Sequence, residues 1–255
     1  MAIDFLSYIN IGIQYNRQLK NKDFFEFKKF TVKHVNSSMK VGFDGILLGA
    51  WCDIDRDMML LDVGTGTGLI ALMIAQRNSG AYIFAIEPDN DSFKEALYNF
   101  EISPWTDRLA IEKIRLQNYA PDKKYDHIIC NPPYFNSGII SGRKGRAEVR
   151  HTINITHEEL LSYSSGLIKN HGKLSVILPY DEGNRFIDIA EKYNFGLSRI
   201  CQVFTKIKTE RLLIELKYNW SDEPVKNLLK VYDDSGKYSA KYLEIVKDFY
   251  LKLSV

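Results

Sequence analysis

The chain has 255 residues, 45% hydrophobic and 26% charged, enough apolar material for one substantial core with a small appendage. A formal net charge of +2 excludes a polybasic nucleic-acid coat, so an acidic partner must be met by local patches. No stretch holds roughly 18 consecutive apolar residues, and Cys52, Cys130 and Cys201 form no C-x-x-C pair; no membrane span and no metal knuckle are expected, and the cysteine usage suits the cytoplasm.

Residues 14–40 mix the aromatics Tyr15, Phe24, Phe25, Phe27 and Phe30 with the cations Arg17, Lys20, Lys22, Lys28, Lys29, Lys33 and Lys40. Such a stretch either grips RNA by stacking or packs its phenylalanines on a sheet, and packing is the favoured reading. From about residue 58, short β-branched runs alternate with helical patterns, as in a doubly wound α/β domain. The predicted strands are 58–63, 82–87, 109–114, 125–130 and 173–178, with helices over 69–76, 93–100, 157–168 and 183–193. Ser92 with Glu95, and Thr156 with Glu159, have the spacing of helix-starting capping boxes. Residues 197–204 and 211–218 predict an antiparallel pair at one end of the sheet, giving a mostly parallel sheet with an antiparallel final strand. In the tail, a strand-like run followed by helical spacing over 241–249 is expected to pack back on the domain.

The first predicted strand runs into Asp62-Val63-Gly64-Thr65-Gly66-Thr67-Gly68 and then a helix. Glycines permit positive φ in a tight turn and let the backbone approach a ligand, with helix-start amides directed at it. Glu87 ends the next strand, where a carboxylate can accept both hydroxyls of a ribose. Dinucleotide sites share this logic, and a glycine-rich turn can also merely link strand to helix. Spacing favours another ligand: the third glycine comes one position early for G-x-G-x-x-G, and Asp62 would repel a pyrophosphate while suiting an ammonium. S-adenosylmethionine is the expected cofactor, held at Asp62, Gly64, Thr65, Gly66, Gly68 and Glu87.

The fourth strand ends in Asn131-Pro132-Pro133-Tyr134, at the carboxyl edge where open α/β sheets bind ligands. Prolines have no amide hydrogen, so their carbonyls stay available as acceptors. The Asn131 side-chain oxygen and the Pro132 carbonyl can each take one hydrogen of a planar amino group, aligning its lone pair for attack on a methyl donor. Tyr134 offers a face for stacking a flipped base. The same tetrapeptide also makes ordinary turns; its placement beside the glycine turn favours the catalytic reading. Arg143, Lys144, Arg146 and Arg150 form a cationic loop that either holds RNA phosphates or is simply solvated. The scattered histidines show no metal-ligand spacing, so no metal is expected.

The segments at 62–68 and 131–134 resemble motifs I and IV of the class I amino-methylating methyltransferases. Phe30-Thr-Val-Lys33, Met39 to Trp51, Ser103-Pro-Trp105 and Arg150-His-Thr152 narrow the resemblance to the bacterial tRNA1(Val) (adenine-37-N6)-methyltransferase family. That resemblance implies a tRNA partner. It also implies an extension at 1–39, a methyltransferase domain at 40–220 and a tail at 221–255, and it assigns Lys40, Val41, Gly42 and Asp44 to the methionine end of the cofactor, Asn131 also lying against it. Two departures stand out: Phe43 replaces a common Thr, and Arg115 or Gln117 stands where an acid often holds the cofactor adenine. The alternatives are an N5-glutamine protein methyltransferase and an rRNA guanine-N2 methyltransferase, which could use the same cradle.

Overall fold

A computed structural model describes residues 23–37, 40–56, 58–133, 155–205 and 209–251. A short hairpin, β1 (Phe24–Glu26) with β2 (Thr31–Lys33), precedes helix α1 (Phe43–Trp51). The α/β alternation follows: β3 (Met59–Val63), α2 (Leu69–Arg77), β4 (Tyr82–Ile86), α3 (Asn90–Glu101), β5 (Leu109–Glu112), β6 (Tyr125–Cys130), α4 (His157–Leu167) and β7 (Ile168–Pro179). The chain closes with α5 (Tyr180–Ala190), β8 (Phe195–Phe204), β9 (Thr209–Tyr218), β10 (Val225–Lys230) and α6 (Ala240–Val246). Eight strands form one sheet in the order β10-β8-β9-β7-β6-β3-β4-β5. Only β9 runs against its neighbours, so the sheet is mostly parallel, as expected. The β8–β9 pair is not the margin of the sheet, because the tail adds β10 parallel to β8 outside it.

Alternation along the strands builds two cores. Leu60, Ile83 and Ile129 face one side, under α1 and α2, while Leu61, Ile86 and Ile128 face the other, under α4 and α5. Helices α1 and α2 approach closely because Gly45 and Gly49, one turn apart, sit against Leu69 and Met73. A Cβ at Gly49 would lie 2.9 Å from the Met73 sulfur. From the amino-terminal stretch, Phe27, Phe30 and Val32 enter the first core, and Phe30 meets Trp105 edge-on at 5.7 Å. Tyr242, Val246 and Phe249 of the tail are buried in the same core. Among the described residues, no helix is long and apolar enough to cross a membrane.

Of the two capping boxes expected at helix starts, one forms. Thr156 and Glu159 make a full box at α4. At α3 the cap is Asp89, whose carboxylate accepts the Ser92 amide. Glu95 is diverted to a distant segment, where its two oxygens accept the amides of Val35, Asn36 and Ser37 at 2.7, 2.7 and 2.9 Å. One turn on, Asn99 is fully buried; its oxygen accepts the Lys33 amide, and its nitrogen donates to the carbonyls of Lys33 and Thr67.

Candidate active site

The strand register sets the site. Glu112, Ile86, Val63, Cys130 and Val176 form one row across five adjacent strands. All five strands point the same way, so Glu87, Gly64 and Asn131 leave the sheet together, one residue beyond that row. Neighbouring strands are about 4.8 Å apart, which puts Asn131 beside the glycine turn on one flank and Glu87 beside it on the other.

The turn is built for close approach. Gly64, Gly66 and Gly68 have φ of +67°, +60° and +82°, values that favour glycine. A Cβ on Gly64 or Gly66 would meet nothing within 4 Å, so there is open space over both. Gly68 differs: its Cβ would fall 2.5 Å from Phe100, and as the residue at the cap position of α2 it supplies no side-chain cap, leaving the helix-start amides for a ligand. Gly68→Ala should therefore cost about 2 to 4 kcal/mol of stability, from the left-handed backbone plus overpacking on Phe100. Denaturant unfolding measures it, and an unchanged midpoint would contradict the packing described.

Two buried carboxylates flank the turn. Asp62 is 1% exposed; one oxygen accepts the Thr65 hydroxyl at 2.6 Å, and the other has no hydrogen-bond partner. Burial raises its pKa to about 7, against the opposing pull of the Thr65 hydroxyl and the nearby Ala71 amide. Glu87 accepts the Gly66 amide with one oxygen and the Asp89 amide with the other, both at 2.9 Å, and burial raises its pKa too. Among the described residues neither carboxylate bonds to a basic side chain, so this is a buried, uncompensated negative site. It fits a cationic ligand carrying an ammonium and a ribose, and it opposes a pyrophosphate. S-adenosylmethionine meets those requirements.

Asn131 is half-buried, Pro132 buried and Pro133 exposed. Helix α1 passes behind Asn131: a Cβ on Gly45 would stand 3.8 Å from the Asn131 amide nitrogen. The preceding Asp44 is bound by Arg211 of β9, whose Nε lies 3.2 and 3.1 Å from its two oxygens. Burial raises the Asp44 pKa and Arg211 opposes the rise. Lys40 is exposed, and its charge helps lower the pKa of His34 behind burial of that ring. Phe43 stacks on Tyr242 of α6, with ring centroids 6.1 Å apart, which accounts for an aromatic in place of Thr. Gln117 donates to Glu159 at 3.3 Å.

Asp62, the turn, Glu87, Asn131 and Pro132 thus come together at one sheet edge, with Asp44 close behind. Tyr134, Arg143, Lys144, Arg146 and Arg150 lie outside the described residues. Sequence reasoning missed Asn99, which ties the turn at Thr67 to β2, and the partnership of Arg211 with Asp44. A polar residue on the buried face of α3 was the available signal for Asn99.

Residues 33–181 match the family model described as the methyltransferase small domain. The tRNA1(Val) (adenine(37)-N6)-methyltransferase of Photobacterium profundum is 42% identical over 237 residues, 90% of this chain and 98% of that protein. Its namesake from Parabacteroides distasonis is 40% identical over 234 residues, again 90% of this chain and 98% of the relative. Among solved structures, a predicted O-methyltransferase from Agrobacterium tumefaciens superposes with a TM-score of 0.65 at 19% identity, over 81% of this chain and 96% of its own. P. horikoshii TYW2 in complex with MeSAdo superposes with a TM-score of 0.56 at 15% identity, over 77% of this chain and 71% of its own. At these identities the likeness of structure speaks for the fold.

Proposed function

The chain belongs to the methyltransferase small domain family and to that of the tRNA1(Val) (adenine(37)-N6)-methyltransferases, and on that footing we propose that it methylates N6 of an adenine in tRNA, adenine 37 of tRNA1(Val) being the target. The methyl donor is S-adenosylmethionine, which when bound supplies an electrophilic methyl on a positively charged sulfur. Asp62 holds the donor's ammonium, Glu87 its ribose hydroxyls, and the turn from Gly64 to Gly68 lines the space between them. Asn131 and the Pro132 carbonyl each accept one hydrogen of the target amino group. Held at both hydrogens, the amine pyramidalises and its lone pair leaves conjugation with the ring. No strong base is needed, because the nitrogen becomes acidic once it carries the methyl and loses its proton to solvent.

The observation that supports this reading most is the pairing of Val63 with Cys130, which makes the donor turn and the amine cradle neighbours on parallel strands. The test is incubation of the purified protein with isotopically labelled S-adenosylmethionine and, separately, total tRNA, rRNA or a release factor, followed by digestion. Labelled N6-methyladenosine from tRNA is the expected product. Label on protein glutamine, or on guanine of rRNA, overturns the reading.

A further inference from the structure

Helix α1 spans the two halves of the site, and its start has no cap of its own. Gly42, at the cap position, makes no side-chain hydrogen bond to the first turn. Besides the Phe43 ring stacked on Tyr242, that end is held by Asp44, fixed by Arg211 across 167 residues of sequence, with Asp44 and Arg211 side chains 15% and 28% exposed. An acid in the first turn also suits the helix dipole. The far end is fastened to the same pair of strands. Arg199 of β8 stacks on the Trp51 ring at 3.8 Å, donates to the Trp51 carbonyl at 3.2 Å and pairs with Glu215 of β9 at 2.9 Å. Between these fastenings, Gly45 lies against Leu69, the first residue of α2, and against the Asn131 amide. Arg211 itself stands opposite Pro179 of β7 and Val203 of β8, at the carboxyl edge of the strand next to β6.

We propose that Arg211 is a positioning residue for Asn131, acting through Asp44 and the first turn of α1. The proposal rests on the function proposed above. The backbone at Gly45 is the wall behind the Asn131 amide, so the angle at which that amide meets the target amine is set by where α1 begins. Neither a cap nor a side chain at position 45 locates the α1 start; Phe43, stacked on Tyr242, fixes it to the tail helix, and the ion pair fixes it to the sheet beside the site. A displacement of about 1 Å at a reacting group costs roughly a hundredfold in rate, which makes a partly exposed pair of small energetic worth important to turnover. In this role Asp44 serves α1 and β9 rather than the cofactor.

The experiment compares wild type, Arg211→Lys, Arg211→Ala and Asp44→Asn as full chains. Three quantities are read: cofactor Kd by calorimetry, single-turnover methylation at saturating cofactor and tRNA, and KM for tRNA. Arg211→Ala is expected to slow single turnover by about 10- to 100-fold with cofactor Kd changed less than about threefold and tRNA KM nearly constant. Arg211→Lys, keeping charge without the planar fork, should recover part of the loss, and Asp44→Asn should resemble Arg211→Ala. Unchanged turnover in Arg211→Ala overturns the proposal. So does a loss confined to tRNA KM, which would make Arg211 a phosphate contact, and so does a tenfold weaker cofactor Kd in Asp44→Asn alone, which would make Asp44 a cofactor ligand. A wild-type protein that labels a different acceptor refutes the proposed function instead, and the same four-way comparison is then read on that acceptor.

Discussion

Asn131→Ala should lower turnover by roughly 100- to 1,000-fold while leaving the Kd for S-adenosylmethionine within a few-fold of wild type. On the proposed mechanism, the size follows from what is lost: one of two acceptors that hold the amine in its reactive geometry, a contact of the kind whose removal costs about 3 to 4 kcal/mol of transition-state stabilisation. The selectivity follows from the separation of duties along the sheet edge. Asp62 and Glu87 lie on β3 and at the end of β4, and Asn131 follows β6, so truncation at 131 leaves both carboxylates and the glycine turn intact. Pre-steady-state methylation of tRNA beside calorimetric titration of the cofactor measures the two effects separately. Wild-type turnover in the variant would remove Asn131 from the mechanism.

Asp62→Asn should trade binding for stability. Burial raises the Asp62 pKa to about 7 from the ordinary 3.8. A group whose folded pKa is raised binds its proton more tightly in the folded state. Its stabilising effect is full below about pH 4 and is lost as pH climbs through 7. At pH 8 the ligand-free protein thus bears a charge whose burial costs on the order of 4 kcal/mol, about three units at about 1.4 kcal/mol each. Asn carries no such charge and keeps an oxygen for the Thr65 hydroxyl, so the ligand-free variant should melt roughly 8 to 16 °C above wild type at pH 8. The difference should disappear near pH 4. Cofactor affinity should fall at least about a hundredfold, because the ammonium loses a fully buried counter-charge. Wild-type affinity should itself strengthen about tenfold per unit as pH rises towards 7, with proton release on binding below that value. Equal melting temperatures at pH 8 would show that the Asp62 carboxylate is not strained by its surroundings.

The central strands and the turn are readable in the sequence because each is a local matter. Apolar runs buried on both faces announce β3, β4 and β6, and three glycines between strand and helix announce a tight turn. Boundaries drift where local rules give way. Strand β7 begins at Ile168, directly after α4, rather than near 173, and its pairing shifts register around His171, which adopts φ of +59°. Helix α5 begins at Tyr180, three residues early, on Pro179 as cap. The Ser92 and Glu95 spacing misleads because a capping box and a receptor for distant amides use the same acid. Only the arrival of Val35, Asn36 and Ser37 decides between them. Asp44 with Arg211, and Phe43 with Tyr242, are beyond reach for the same reason: each pair joins segments that only the finished topology makes neighbours.

Asn99 carries a wider implication. One side chain, sealed from water, clasps the backbone of β2 with both of its ends and also grasps the loop carbonyl at Thr67. The hairpin near the amino terminus and the glycine turn are therefore shackled to a common post. Coupling through that post is reciprocal: a partner that draws the hairpin off Asn99 weakens binding at the loop by the same factor by which a ligand at the loop weakens that partner's binding.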